Sequence, residues 1–509
     1  MMYNLNMSKE SGVLLHISSL PGKYGIGTLG KEAFKFIDFL KKGGFSYWEI
    51  LPLEATGYSS SPYLNCSAFG YNYYLIDLES LIEDGLLTSR DLKGVVFGND
   101  PRRIDYLQLF KVKSEVLRKA FKRFDTNNPE FLEFKKDKNR YEYALYATIK
   151  EANNSKAWFD WQIGDRYFDD EVRALYEKNH GKDIEFVFFE QFIFHKQRNK
   201  LHDYARSQGI EIIGDLSHFM AYDSDAMYFN PDLFLVDKRN LATHVAGFPP
   251  DDFKKEGQKW GYPLYDWSYM RITNYKWWKS RIYSASKMYD RIKLNHFRGF
   301  LKTYAVSFRA PNAKKGQYLP GPGLEFIEDI AKDNNLIASH LGIYSKDVDE
   351  FVLATKLPYL KTTLENLFAT EKDFRTDLLP SHIGSNVYLY LGNHDNMPVR
   401  EVIKSANSEV KNLAYDRLRE EGKALKVNFD SNFSSAELAR YMIELLFASN
   451  ADHVTLSMND MLFSGKESRM NIPGFDSTLN RTYRYLDFEF NEKLALYYKD
   501  LNAKYNRLK

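Results

Sequence analysis

The chain has 509 residues, far above the size at which one core is hard to stabilise, and fits a large barrel with insertions or two to four smaller domains. With 70 Lys and Arg against 68 Asp and Glu its formal charge is +2, which excludes a global pull toward nucleic acid or anionic lipid and suits neutral or modestly polar ligands. Aromatic residues are abundant, with 36 Tyr, 37 Phe and 7 Trp; most belong in the core, but aromatic faces also stack on the apolar face of a sugar ring.

The opening residues, MMYNLNMSKESG, are polar and lack the apolar core of a signal peptide. GVLLHISSL (12–20) is the first β-prone run, and KEAFKFIDFLKKGG reads as a helix before the second, YWEILPL (47–53). The single cysteine, Cys66, excludes an intramolecular disulfide and a cysteine-based metal cluster, and agrees with a reducing compartment. Residues from roughly 65 to 185 read as an insertion of mainly helical character. The helical pattern EQFIFHKQRNKLHDYARSQGI leads into EIIGDLS (211–217), and a further insertion covers roughly 220–275. NYKWWKSRIYSASKMYD then precedes RIKLNHF (291–297), followed by NLIASH (335–340), the weaker LKTTLEN (360–366), NVYLYLGNHD (386–395) and HVTLSMND (453–460).

Strand and helix alternate and no short-period repeat is present, so solenoids and propellers drop away. No run approaches the roughly 18 apolar residues of a spanning helix. The pattern predicts an α/β chain, a (β/α)8 TIM barrel with inserted, mainly helical subdomains, as one unit over residues 1–509. A doubly wound open sheet would gather its polar groups at one switch point. Here they recur at successive strand ends, as Asp215, Asn295 with His296, Ser339 with His340, His394 with Asp395, and Asn459 with Asp460, which is where a barrel carries its chemistry.

Two of these ends, LGNHDN (391–396) and KLNHFRGF (293–300), are each as compatible with turn formation or a helix start as with substrate binding. Taken in order, SGVLLHISSLPGKYGIGTLG, YWEILPLEATGYSSSPY, SAF, GDL (214–216), AYDSDAMYFNPDLF, VAGFPPDDF, GQKWGYPLYDW, HFRGF, GPG (321–323), HDN (394–396) and RMNIPG (469–474) resemble glycoside hydrolase family 77, the amylomaltases, along nearly the whole chain. The resemblance implies 4-α-glucanotransferase activity, the transfer of α-1,4-glucan segments between maltodextrins with retention. Such chemistry takes a carboxylate nucleophile, a carboxylic acid that keeps its proton near neutral pH, and groups that favour an oxocarbenium-like transition state.

By the same resemblance the catalytic positions are Asn295, Ser339 and Asp395, and only the last carries the family's carboxylate. The family pattern Arg-Ile-Asp-His-Phe-Arg-Gly is here Lys293-Leu294-Asn295-His296-Phe297-Arg298-Gly299, and Ala-Glu-Asp-Leu-Gly is Ala338-Ser339-His340-Leu341-Gly342. An amide oxygen is a poor nucleophile, and a serine hydroxyl has no accessible pKa. Lys293 lacks the bidentate fork of the arginine it replaces. Ser217-His218-Phe219, Tyr262 and Asn393 depart from the family in the same region. His340 titrates in the right range, but it adjoins the acid position and so faces the other side of the strand.

The resemblance assigns substrate binding to Tyr58, Ser61, Tyr63, Asp215, Trp260, Lys293, His296, His394 and Asn471. The expectation is an α-1,4-glucan or maltooligosaccharide partner, with transferase activity lost or strongly impaired. The alternative is a catalytically inactive α-glucan-binding protein or a structural partner. The sequence has no phosphate loop, no dinucleotide fingerprint and no metal-ligand spacing, so no cofactor and no metal are expected. Nucleic-acid and membrane partners are not expected either, and a cytoplasmic location is.

Overall fold

The computed structural model describes residues 9–57, 61–251, 254–339, 345–473 and 477–509. Its strands in chain order are β1 (Glu10–Leu14), β2 (Tyr47–Ile50), β3 (Glu211–Leu216), β4 (His244–Phe248), β5 (Gln258–Pro263), β6 (Arg291–Leu294), β7 (Lys302–Ser307), β8 (Gln317–Pro320), β9 (Leu336–Ala338), β10 (Tyr359–Thr362), β11 (Val387–Tyr390) and β12 (His453–Ser457). Eight of them close a barrel in the order β1-β12-β11-β10-β9-β6-β3-β2, and every pair in it is parallel. These are the eight runs read from the sequence. Most of those runs overshoot the C-terminal end of their strand, because residues such as Leu15, Leu51 and Leu391 stay buried after the ladder stops.

The strands read as continuous apolar runs because both their faces are covered. Outside, helix Lys31–Lys42 turns Phe36, Ile37 and Leu40 inward. Inside, Tyr47, Ile213, Ile337, Leu360, Tyr388 and Tyr390 fill the barrel, which makes it a packed core and not a pore. Its N-terminal end is closed by charge: Arg291 pairs with Glu10 (2.8 Å) and Glu211 (2.6 Å) and donates to the Tyr388 hydroxyl (2.7 Å). Burial alone would raise the Glu10 pKa, but His453, Arg291 and Lys509 together hold it well below the usual carboxylate value.

Between β2 and β3 the chain adds helices Tyr106–Phe121 and Lys138–Ala152 and the 38-residue helix Asp170–Ser207, which kinks at His180 (φ −125°, ψ 20°). Two glutamines of the long helix clamp the loop that follows β2. Gln191 accepts from Tyr71 N–H (2.6 Å) and donates to Tyr71 C=O (3.1 Å), and Gln197 does the same for Asp77 (2.7 and 3.0 Å). Each side-chain amide thus satisfies a buried backbone pair that no strand reaches.

The chain on either side of β6 builds a second, antiparallel sheet in the order β5-β4-β7-β8. None of its four strands has a counterpart among the β-prone runs read from the sequence, and β4 and β5 put a sheet into the insertion over roughly 220–275 that was expected to be mainly helical. Among the described residues no helix is long and apolar enough to cross a membrane.

Candidate active site

Under the barrel mouth lies a layer of buried charge. Lys293 on β6 reaches Glu49 on β2 (2.5 Å) and Asp215 on β3 (3.0 Å), and all three are at most 2% exposed. Tyr390 donates its hydroxyl to the other Glu49 oxygen. Burial alone would lower the Lys293 pKa, but the two carboxylates raise it above the ordinary lysine value, so the ammonium stays charged. Lys293 and Asp215 therefore sit enclosed beneath the cleft and not open to it. Glu49 escaped the sequence reading, although one charged residue inside the buried run Tyr47–Ile50 is itself a signal that it needs a partner.

The layer continues upward through Tyr63, whose hydroxyl donates to Asp215 Oδ2 (2.6 Å). Burial, then the Asp215 charge, raises its pKa well above the ordinary tyrosine value, so it remains a donor. The Tyr63 ring stacks on His394 at 5.3 Å between centroids. Ser61 accepts from Tyr63 N–H (3.3 Å) and steadies this turn. Tyr58 and His340 lie outside the described residues.

Three strand ends lie at the barrel mouth, but of Asn295, Ser339 and Asp395 only the last lines the cleft there, and Ser339 is buried. After β11, Asp395 is held from several sides. Asn471 Nδ2 donates to its carboxylate (2.6 Å), His394 Nε2 lies 3.4 Å from the same oxygen, and Arg469 donates to its carbonyl (2.6 Å). Asn471 is fixed in turn by Arg481 (2.9 Å). Asn295 after β6 and Ser339 after β9 differ. Their backbone N–H groups continue the ladder to Leu216 and Leu294 (3.0 and 3.1 Å), yet among the described residues their side chains have no hydrogen-bond partner. At the end of β12, Asp460 is pushed up to about 6 by burial and accepts from Val399 N–H (2.8 Å) and the Ser457 hydroxyl (2.7 Å), a structural role.

A cleft of about 720 Å³ opens over these ends, with Asp395, Asn393 and His296 on its floor and Trp260, Phe248 and Tyr318 on the wall made by the second sheet. Trp260 is half-buried, its ring 5.6 Å from His296. His296 has a left-handed backbone (φ 46°), which turns the chain beside the cleft. Its ring is open to the cleft, yet the protein around it lowers its pKa against the pull of Asp395 and Asp215. Gly299 is needed because a Cβ there would come within 2.5 Å of the buried His218 ring. Of the residues singled out from the sequence, Trp260, His296 and Asp395 share the cleft, and Asn471 and His394 support Asp395. The cleft also holds Glu365, which the sequence reading passed over; it accepts from Asn396 (2.8 Å), the neighbour of Asp395. Among the described residues no group of three or more His, Cys, Asp or Glu is arranged to hold a metal ion.

Comparison with known proteins agrees with the fold and the order of motifs. A family profile described as 4-alpha-glucanotransferase matches residues 15–488. The chain is 37% identical over 493 residues to a 4-alpha-glucanotransferase of Clostridium butyricum, covering 94% of this chain and 97% of that protein. It is 34% identical over 510 residues to one of Streptococcus pneumoniae, covering 98% of each. Among solved structures, an amylomaltase from Streptococcus agalactiae in complex with acarbose superposes with a TM-score of 0.91 at 30% identity, covering 98% of this chain and all of that one.

Proposed function

The chain belongs to the 4-α-glucanotransferase family, glycoside hydrolase family 77, and from that premise we propose that it binds α-1,4-glucans in the barrel cleft while transferring them very slowly or not at all. The reading rests on the two strand ends that lack a carboxylate. Retaining transfer needs an oxygen that can form a glycosyl ester and a carboxylic acid to protonate the leaving oxygen. The side chains at these positions are an amide, Asn295, and a hydroxyl, Ser339. Asp395 with its Asn471, Arg469 and His394 contacts can still bracket a sugar ring, and Trp260 can still stack on one. The relative solved in complex with acarbose supports a saccharide-type occupant. The absence of a helical span among the described residues and the lone thiol of Cys66 suit a cytoplasmic setting.

The test is incubation with maltotriose and analysis for glucose and longer maltodextrins, beside calorimetric titration with maltoheptaose. We expect saturable binding that Trp260→Ala weakens by about fivefold, the size of one aromatic contact. Transfer should fall below that of an intact relative by about 10²- to 10⁴-fold for the missing acid alone. Rapid transfer would overturn the catalytic half of the reading, and no binding at millimolar maltoheptaose would overturn the other half, leaving a structural role.

A further inference from the structure

A second hollow, of about 420 Å³, lies apart from the cleft between the loop that enters helix Tyr106–Phe121 and the segment after β12. It is lined by Arg102, Arg103 and Arg400, with Ser464, Glu467 and Glu489. Arg102 is neutralised by Glu489 (2.7 Å) and also donates to the Tyr483 hydroxyl (3.1 Å). Arg103 has no carboxylate partner: its guanidinium donates to the Thr482 hydroxyl (3.1 Å) and to Glu467 C=O (2.9 Å). Arg400 makes no hydrogen bond or ion pair with any described residue and rests over the Phe463 ring at 5.7 Å. With one glutamate pairing Arg102, the charges left over are two guanidinium groups against the single carboxylate of Glu467. The Ser464 hydroxyl likewise has no partner among the described residues.

The geometry is also held in place. Arg102 and Arg103 both pack on the ring of Tyr483 (5.8 and 5.4 Å), which is buried at 5% exposure. Of the two uncompensated arginines Arg103 is fixed in this way, so it loses little freedom on binding, and its planar fork matches the oxygens of a tetrahedral oxyanion. Beneath them Arg484, tied by its N–H to Arg102 C=O (2.9 Å), is pushed down to about 10 by burial with only Asp100 drawing it back. Positive charge is therefore in local excess in a chain that is nearly neutral overall.

We propose that this hollow is a binding site for a phosphate group, carried on a small sugar or free in solution, with Arg103 and Arg400 as its main contacts and Ser464 as an added donor. A neutral glucan would leave both guanidinium groups unpaired. Two separate guanidinium forks and a hydroxyl can each take a different oxygen of one phosphate, whereas a carboxylate presents only two oxygens and a single charge. The site adjoins the segment that holds Asp395. Arg103 grips Glu467 C=O, and two residues on Arg469 grips the Asp395 carbonyl. An occupant there is thus linked to the cleft through a short stretch of backbone.

Calorimetric titration of the full chain with inorganic phosphate, glucose 6-phosphate and glucose tests the proposal without reference to glucan transfer. Saturable binding of either phosphate, with none of glucose, is expected, and tighter binding of glucose 6-phosphate would identify a sugar phosphate as the occupant. Arg400→Ala and Arg103→Gln should each weaken it by at least about tenfold, the loss of one charge-assisted contact, with unchanged melting curves, while Arg440→Ala at a distant exposed site should not. Absence of saturation at 10-fold excess over the millimolar range, or equal affinity in all three variants, would overturn it.

Discussion

At the start of β6, Asp290 accepts from Arg206 Nε (2.8 Å) and Ile212 N–H (2.8 Å) and lies 2.9 Å from His202 Nε2. At the other end of the same strand the Asn295 side chain has no partner among the described residues. Between the two, Arg291 and Lys293 point into the barrel and are each bound by two carboxylates. One short strand thus passes from groups saturated by their own protein to a group left for something else. In a barrel the lower end is where polar residues secure the fold and the upper end is where they meet ligand. Asp395 is the intermediate case, firmly held yet with its side chain 38% exposed to the cleft.

The most drastic way to break this contrast is to give the upper end its charges back. Asn295→Asp restores a nucleophile and Ser339→Glu an acid, and residues acting as one unit are strongly non-additive. The double variant should raise maltotriose disproportionation by about 10²- to 10⁴-fold, with each single change giving far less. Glucose release measured over time decides it. If either single variant matches the double, the strand ends do not act together and the contrast along β6 has no catalytic meaning.

The layer between the two ends gives the next effect. Lys293→Met leaves Glu49 and Asp215 facing each other without a cation in a sealed interior. Removing one partner of a buried ion cluster costs about 3–5 kcal/mol, so the urea midpoint should fall sharply, and Lys293→Arg should restore most of it. A loss smaller than about 1 kcal/mol, the worth of an exposed pair, would mean that the lysine is dispensable and that the layer belongs with the mouth and not with the base.

These same residues mark how far the sequence could be read. The eight barrel strands were legible because doubly covered strands are apolar runs, and even LKTTLEN, with its polar Lys361 and two threonines, falls on β10. The four strands of the second sheet were not, since HVAGF, QKWGYP, KTYAVS and QYLP are short and partly exposed and none stands out as a long apolar run. The positions Asn295, Ser339 and Asp395 came from ordered motifs. Glu49, Glu365 and the arginines of the second hollow did not, because each takes its meaning from partners far away in the chain, as Glu49 does from Lys293.

The smallest effect tests the lower end of β6 by acid. Burial alone would raise the Asp290 pKa, but hydrogen bonds from His202, the Ile212 N–H and Arg206 outweigh it and bring the group from 3.8 down to about 2. Its folded value is depressed, so the stabilisation is fully present above the unfolded pKa and is lost as pH falls through the folded one. The shift corresponds to about 2 kcal/mol, available above roughly pH 4 and gone below about pH 2. Asp290→Asn should therefore lower stability at neutral pH by about that amount while flattening this part of the acid limb. Chemical denaturation of both proteins at pH 7 and between roughly pH 2 and 4 measures it. Were the two curves to stay parallel through that window, Asp290 would be held no more firmly than a surface carboxylate, and β6 would have no anchored end for Asn295 to be contrasted with.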